Sequence, residues 1–111
     1  MKNYNVIIQP IAQRDMQNIG DYIAHTLYNP EAAVKLIDAF IEQFNRIANF
    51  PMSGKPLEYD LPLEYKYLQA FVEKYIIFYT VNEKTETATI MRILYGGSDY
   101  IARLLSDSKK Q

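Results

Sequence analysis

The chain contains no cysteine, which excludes disulfides, thiolate catalysis and every cysteine-based zinc site and suits a reducing cytoplasm. Tryptophan is also absent, and there is one histidine, His25. No Ser/His/Asp triad, Cys/His pair or histidine metal cluster can be built from a single imidazole. His25 falls near the end of a helical segment, outside its apolar stripe, where a solvated imidazole suits the negative end of the helix dipole. Of four glycines, the only adjacent pair is Gly96-Gly97. It follows a strand without a glycine-rich continuation, so no phosphate loop is expected. No run approaches the roughly 20 apolar residues needed to span a bilayer, and Met1-Lys2-Asn3-Tyr4-Asn5 has no signal-peptide layout. The expectation is a cytoplasmic protein with no membrane partner, no metal and no cofactor. Neither charge sign is in excess: 12 Lys and Arg against 13 Asp and Glu give a formal charge of −1. Any nucleic-acid contact would need a local patch rather than a global field.

A chain of 111 residues with 49% hydrophobic content fits one domain with a substantial core. Residues 4–8, Tyr-Asn-Val-Ile-Ile, read as a short strand, and Pro10 then suits the first turn of a helix. Ala12, Met16, Ile19 and Ile23 recur at helical spacing, which predicts a helix over about 11–27. Asn29-Pro30-Glu31 restarts the pattern with a cap, a preset φ and a favourable charge. Ala33, Ile37, Phe40, Phe44 and Ile47 then carry a second helix to about Asn49. The short separation predicts an antiparallel hairpin of helices.

Residues 50–64 hold three of the five prolines and no periodicity, and read as a long ordered loop in which Glu58, Asp60 and Glu64 serve solvation. Three strand-like runs follow: Tyr65–Phe71, Tyr75–Val81 and Thr87–Tyr95. The middle one is apolar nearly throughout and should be central. Ser98–Leu105 is expected to add a helical turn. The domain is thus expected to span 1–105, with 106–111 a polar, frayed tail. The fold class is α+β: an N-terminal strand and a helical hairpin packed on one face of a small antiparallel sheet, the other face left open.

Arg92 interrupts Ile90-Met91-Arg92-Ile93-Leu94, a run otherwise fit for burial. Strict alternation puts it on one face with Ala88, Ile90 and Leu94. A guanidinium there needs a partner: either a helix carboxylate, making Arg92 a fold-locking residue, or a phosphate or protein target. Lys66, Lys74, Tyr75, Tyr79 and Tyr95 can form a basic and aromatic sheet surface of the kind that suits RNA, although such residues also suit any half-exposed pleat.

Residues 19–24 (Ile-Gly-Asp-Tyr-Ile-Ala), 29–33 (Asn-Pro-Glu-Ala-Ala) and 49–56 (Asn-Phe-Pro-Met-Ser-Gly-Lys-Pro) occur in an order that resembles RelE/ParE superfamily toxins. So do Tyr65-Lys66-Tyr67-Leu68, Tyr75 to Val81, Arg92 to Gly96, and Asp99-Tyr100. The likeness covers about residues 4–105. It implies the toxin of a type II toxin–antitoxin module, held by a cognate antitoxin, with DNA contact only through the antitoxin complex. The superfamily divides into mRNA endonucleases acting on the ribosome and poisons of DNA gyrase. Nuclease members use lysines and arginines on the later strands and a C-terminal tyrosine to hold phosphate and move the 2′-hydroxyl proton. Lys66 matches one such lysine, but the next falls on Leu68. The third-strand arginine falls on Ile76 and the basic residue after the last strand falls near Gly97-Ser98, while Tyr100 can stand for the tyrosine. Relatives with a histidine before the last-strand tyrosine find Leu94 there.

The depletion favours a growth-inhibiting protein that binds gyrase, with Tyr75, Tyr79, Arg92, Tyr95 and Arg103 as target or antitoxin contacts. The alternative is a ribosome-dependent mRNA endonuclease with an atypical site of Lys66, Lys74, Arg92, Tyr95 and Tyr100. A third reading is an inactive toxin that serves only as co-repressor.

Overall fold

The computed structural model describes residues 3–58, 63 and 65–109, so the loop carboxylates Asp60 and Glu64 lie outside the described residues. Strand β1 (Asn5–Ile8) leads through Gln9 into α1 (Pro10–Asp21), with proline in the first turn as the sequence requires. The helix continues as a wider π-helical segment, Tyr22–Thr26, in which the Leu27 amide donates to the Tyr22 carbonyl. Helix α2 (Pro30–Asn49) begins where the Asn29 side chain accepts from the Ala32 amide at 3.1 Å. Strands β2 (Lys55–Pro56), β3 (Leu68–Val72), β4 (Tyr75–Asn82) and β5 (Thr87–Tyr95) precede a closing helix, α3 (Tyr100–Lys109).

The sheet order is β1-β5-β4-β3-β2, which makes the apolar β4 central as expected. The β2–β3, β3–β4 and β4–β5 pairs are antiparallel. Strand β1, however, lies parallel to β5, so the sheet is mixed rather than wholly antiparallel. A parallel neighbour needs a long crossover, and here the chain between β1 and β5 includes the helical hairpin and the other three strands.

The helical stripes do what their spacing dictates. Ala12, Leu36, Phe40, Phe44 and Ile47 are buried with Ala70, Val72, Ile77, Tyr79, Ala88, Ile90 and Ile93, and Met16, Ile19, Ile23 and Ile37 pack around them. This is one face of the sheet under the hairpin. The opposite face is not left open. Tyr67, Ile76, Phe78, Leu94 and Leu104 are buried there, with Tyr100 and Met91 beside them.

Two expectations change accordingly. Residues 106–109, read from sequence as polar tail, form the last turn of α3. Leu104, fully buried, anchors that helix to the sheet. Its polar neighbours hid an amphipathic helix that needs only one apolar side.

The face assignment along β5 also changes, because alternation is broken by a bulge. Phe78 pairs with Arg92 while the next residue, Tyr79, pairs with Ile90. Met91 is therefore the extra residue of β5, and it moves everything after it to the other side. Ala88 and Ile90 point to the hairpin, whereas Arg92 and Leu94 stand with Phe78 and Ile76 on the α3 side.

Candidate functional site

Arg92 is only 7% exposed. Its Nε donates to Asp15 Oδ2 at 2.7 Å and its Nη2 to Asp15 Oδ1 at 2.8 Å, a two-pronged contact. Its Nη1 reaches Asp107 at 3.1 Å and 3.3 Å. Asp15 Oδ2 also accepts from the Ile93 amide at 3.0 Å, beyond the end of β1, whose register with β5 stops at Ile90. One carboxylate thus occupies a ladder position that β1 leaves vacant and neutralises the adjacent arginine. The carboxylate hydrogen bonds hold the arginine's pKa above its ordinary value against the opposing effect of burial. With two carboxylates on one guanidinium, the group offers no net positive charge to a phosphate. Arg92 joins α1, β5 and α3, the role of a helix-paired arginine rather than a free one.

Asp15 and Asp107 are the residues that sequence reasoning missed. Asp15 lies three residues after Ala12, on the flank of the apolar stripe, and that offset is the signal. Asp107 sits in the segment read as a tail.

The tyrosines divide by depth. Tyr79 was expected at a binding surface but is fully buried, since β4 is central and Tyr79 points under the hairpin. Its hydroxyl donates to the Pro51 carbonyl at 2.8 Å and accepts from the Gly54 amide at 3.0 Å. It therefore pins the chain leaving α2 and cannot touch a partner in the folded protein. Burial raises its pKa, offset in part by hydrogen bonds from Gly54 and Ser53.

Tyr75 is half-buried, edge-on to Phe40 at 5.9 Å and to Tyr95 at 6.0 Å between ring centres. Burial, followed by the proximity of Tyr22, Tyr95 and Glu73, raises its pKa. Tyr95 is 51% exposed, and its ring lies so close over Gly97 that a Cβ there would fall 2.5 Å from it. Tyr75 and Tyr95 are a cross-strand pair, on the hairpin side rather than on an open face.

The candidate cations do not converge. Lys74 is exposed in the turn after Val72, its carbonyl accepting from Gly96 at 2.8 Å. Lys66 is exposed just before Leu68, at the other end of β3. The intervening strand alone spans about 13 Å at the usual rise of a β-strand. Tyr100 stacks at a tilt on Phe78, 5.2 Å between centres, on the α3 face. Arg103 is exposed on α3. Of the five positions considered for phosphodiester cleavage, only Lys74 and Tyr95 share an end of the sheet. Among the described residues no group of three or more His, Asp or Glu is placed to hold a metal ion, and no helix is long and apolar enough to cross a membrane.

The family model for the ParE toxin of the type II toxin–antitoxin system, parDE, matches residues 6–100. No protein among those of curated function matches the chain. Solved structures share the fold. A chain of the RelBE2 toxin–antitoxin complex from Mycobacterium tuberculosis is 23% identical, with 86% of this chain and 93% of that one covered at a TM-score of 0.63. The chromosomal ParDE system of P. aeruginosa gives 19% identity, coverage of 83% and 95%, and a TM-score of 0.66. The archaeal RelE–RelB complex of Pyrococcus horikoshii gives 17% identity, coverage of 86% and 97%, and 0.59.

Proposed function

Because the chain belongs to the ParE toxin family of type II toxin–antitoxin systems, we propose that it inhibits bacterial growth by binding and poisoning DNA gyrase in the cytoplasm, and that a cognate antitoxin neutralises it. The solved relatives are toxin–antitoxin complexes, which supports a protein antitoxin as its partner. One observation carries the choice of a binding protein over a nuclease: the cations that a cyclising phosphodiester would require are dispersed. Lys66 and Lys74 flank opposite ends of β3, and Arg92 is held by two carboxylates. Transition-state stabilisation depends on charges preorganised around one point, and dispersed lysines do not supply it.

The test is induction of the gene without its antitoxin, followed by examination of chromosome and transcripts in the same cells. Gyrase–DNA cleavage complexes with intact transcripts are expected. Transcripts cut on the ribosome, with no gyrase-linked breaks, would overturn the reading in favour of an mRNA endonuclease. Normal growth with folded protein present would leave only a co-repressor role.

A further inference from the structure

The hairpin turn between β3 and β4 holds a glutamate where the backbone disfavours one. Val72 pairs with Tyr75, so Glu73 and Lys74 form a two-residue turn, and Glu73 takes the left-handed conformation with φ 51°. Such turns favour Gly, Asn or Asp at positive φ, and a glutamate adopts it only with backbone strain. Strain retained at one position points to a use for the residue held there. Among the described residues, no ion pair or hydrogen bond engages the Glu73 carboxylate.

Beside this turn stands a cluster of tyrosines. Tyr75 lies directly across from Tyr95, with ring centres 6.0 Å apart and ring planes at 64°. Buried Phe40 meets Tyr75 edge-on at 5.9 Å and supports it from beneath. Gly97 gives the Tyr95 ring its room, since a Cβ there would meet the ring. No glycine has a positive φ, so space rather than conformation explains Gly97. Tyr22 joins the cluster where the first helix widens into its π segment, a distortion frequent at functional sites. Tyr22 and Tyr95 are 53% and 51% exposed. The groups whose charge bears on the Tyr75 hydroxyl are Tyr22, Tyr95 and Glu73, all acidic. Lys74 is exposed in the same turn but is not among them.

This combination selects a cation. Aromatic faces attract a cation within about 6 Å of the ring centre, and an unpaired carboxylate beside them adds to the attraction. Rings that meet at an angle, with Glu73 at their edge, suit a guanidinium in particular. Its flat face stacks on a ring while its fork donates to a carboxylate. Glu73 would repel a phosphate, which argues against a nucleic-acid strand. Two of the three rings are half exposed, so the cluster is open to a side chain presented by another protein.

We propose that Tyr22, Tyr75, Tyr95 and Glu73 form a receptor for an arginine side chain of a protein partner. The proposal rests on the reading of the chain as a binding protein and names the group that it grips.

The probe is the blocked tripeptide acetyl-Ser-Arg-Ser-amide, titrated into the full isotope-labelled chain while the tyrosine ring resonances are followed by NMR. Saturable shifts at Tyr75 and Tyr95 are expected. Replacing the arginine by citrulline, its uncharged isostere, should weaken binding at least about 5-fold. Tyr22→Ala, Tyr95→Ala and Glu73→Gln should each weaken it about 3-fold or more, whereas Tyr95→Phe, which keeps the aromatic face, should cost less than about 2-fold. Lys74→Ala should not weaken it. All four altered residues are exposed, so each variant should melt as the wild type does. Absence of any saturable shift would overturn the proposal, as would equal binding of the citrulline peptide. So would binding that ignores both Tyr95→Ala and Glu73→Gln, or that is lost with Lys74→Ala. Saturable shifts with a hexa-adenylate but not with the arginine peptide would also overturn it, identifying a platform for bases. The titration uses neither gyrase nor ribosome, so its failure is distinguishable from a failure of the gyrase reading.

Discussion

Asp15 and Arg92, 77 residues apart in the chain, form a two-pronged ion pair of 2.7 and 2.8 Å between the first helix and the last strand. Since Asp15 also accepts from the Ile93 amide, the same carboxylate fixes both the backbone and the side chain of β5. Arg92→Ala leaves that carboxylate beside an apolar wall without its cation, a loss of about 3–5 kcal/mol for a buried pair broken on one side. The melting temperature should drop by more than about 10 °C. Arg92→Lys should recover less than half of this, because a point ammonium cannot reproduce the fork. Asp107→Ala should cost only about 1 kcal/mol, as its side chain is 23% exposed and Asp15 still satisfies the arginine. Thermal melting of the three variants checks the order. An unchanged midpoint for Arg92→Ala would show that the residue is not a lock.

That Arg92 needed a partner was legible in the sequence, because a cation in a buried strand cannot stand alone. Which partner it takes was not legible, because the pairing is long-range. The helices were readable for a related reason: Ala12, Met16, Ile19 and Ile23, and the longer stripe from Ala33 to Ile47, repeat within a few residues. Parallel pairing of β1 with β5 leaves no local trace. Face assignment failed at one residue, Met91, since a bulge has no periodic signature and reverses every side chain beyond it. Tyr79 misled for a different reason: a tyrosine in a strand reads as half-exposed until the groups that satisfy its hydroxyl, Pro51 and Gly54, are brought beneath it.

Gly54 should tolerate no side chain. A Cβ there would lie 2.4 Å from the Tyr79 hydroxyl oxygen, so Gly54→Ala must displace either the buried ring or the turn. The expected cost is about 1–3 kcal/mol by overpacking, measured by denaturant unfolding. The backbone of Gly54 is extended, with φ −67°, so close approach rather than conformation forbids the methyl. Gly97→Ala is the control: its Cβ would meet the Tyr95 ring, which is half-exposed and free to swing away. Equal losses at the two positions would refute the argument.

Tyr79 also gives an alkaline signature. Its folded pKa is raised above the ordinary 10.0, chiefly by burial. The neutral hydroxyl is therefore favoured by folding, and the resulting stability is present below about pH 10 and is lost as pH rises through the folded value. Tyr79→Phe should cost about 1–3 kcal/mol at neutral pH by stranding the Pro51 and Gly54 backbone groups. It should also flatten the decline in stability above pH 10, leaving the dependence due to Tyr75, whose pKa is raised as well. Parallel alkaline profiles for variant and wild type would contradict this assignment.

Helix α3 should behave as part of the core. Leu104 is fully buried among Tyr67, Ile76, Phe78 and Leu94, and Leu104→Ala should destabilise by about 2–5 kcal/mol. Neighbouring Ala102, on the exposed side, should accept serine at a cost below about 0.5 kcal/mol. A melting temperature insensitive to Leu104→Ala would mean that the segment frays and leaves Phe78 uncovered.

The dispersal of the cations predicts how toxicity responds to their removal. If growth inhibition came from phosphodiester cleavage through Lys66, Lys74 and Tyr95, losing one would remove a charge or proton carrier from the transition state. Such losses typically cost on the order of 100-fold or more in rate. For a toxin that works by binding gyrase, exposed lysines at opposite ends of β3 are rim charges, worth about 0–1 kcal/mol each. Lys66→Ala, Lys74→Ala and Tyr95→Phe should therefore each shift the inducer dose for half-maximal growth inhibition by less than about 5-fold. Purified protein should leave naked RNA uncut. Wild-type folding of each variant, checked by melting, makes the comparison fair. A folded Lys74→Ala protein that has lost toxicity altogether, in cells where the wild type cuts transcripts, would place the chemistry at the β3–β4 turn and end the gyrase reading.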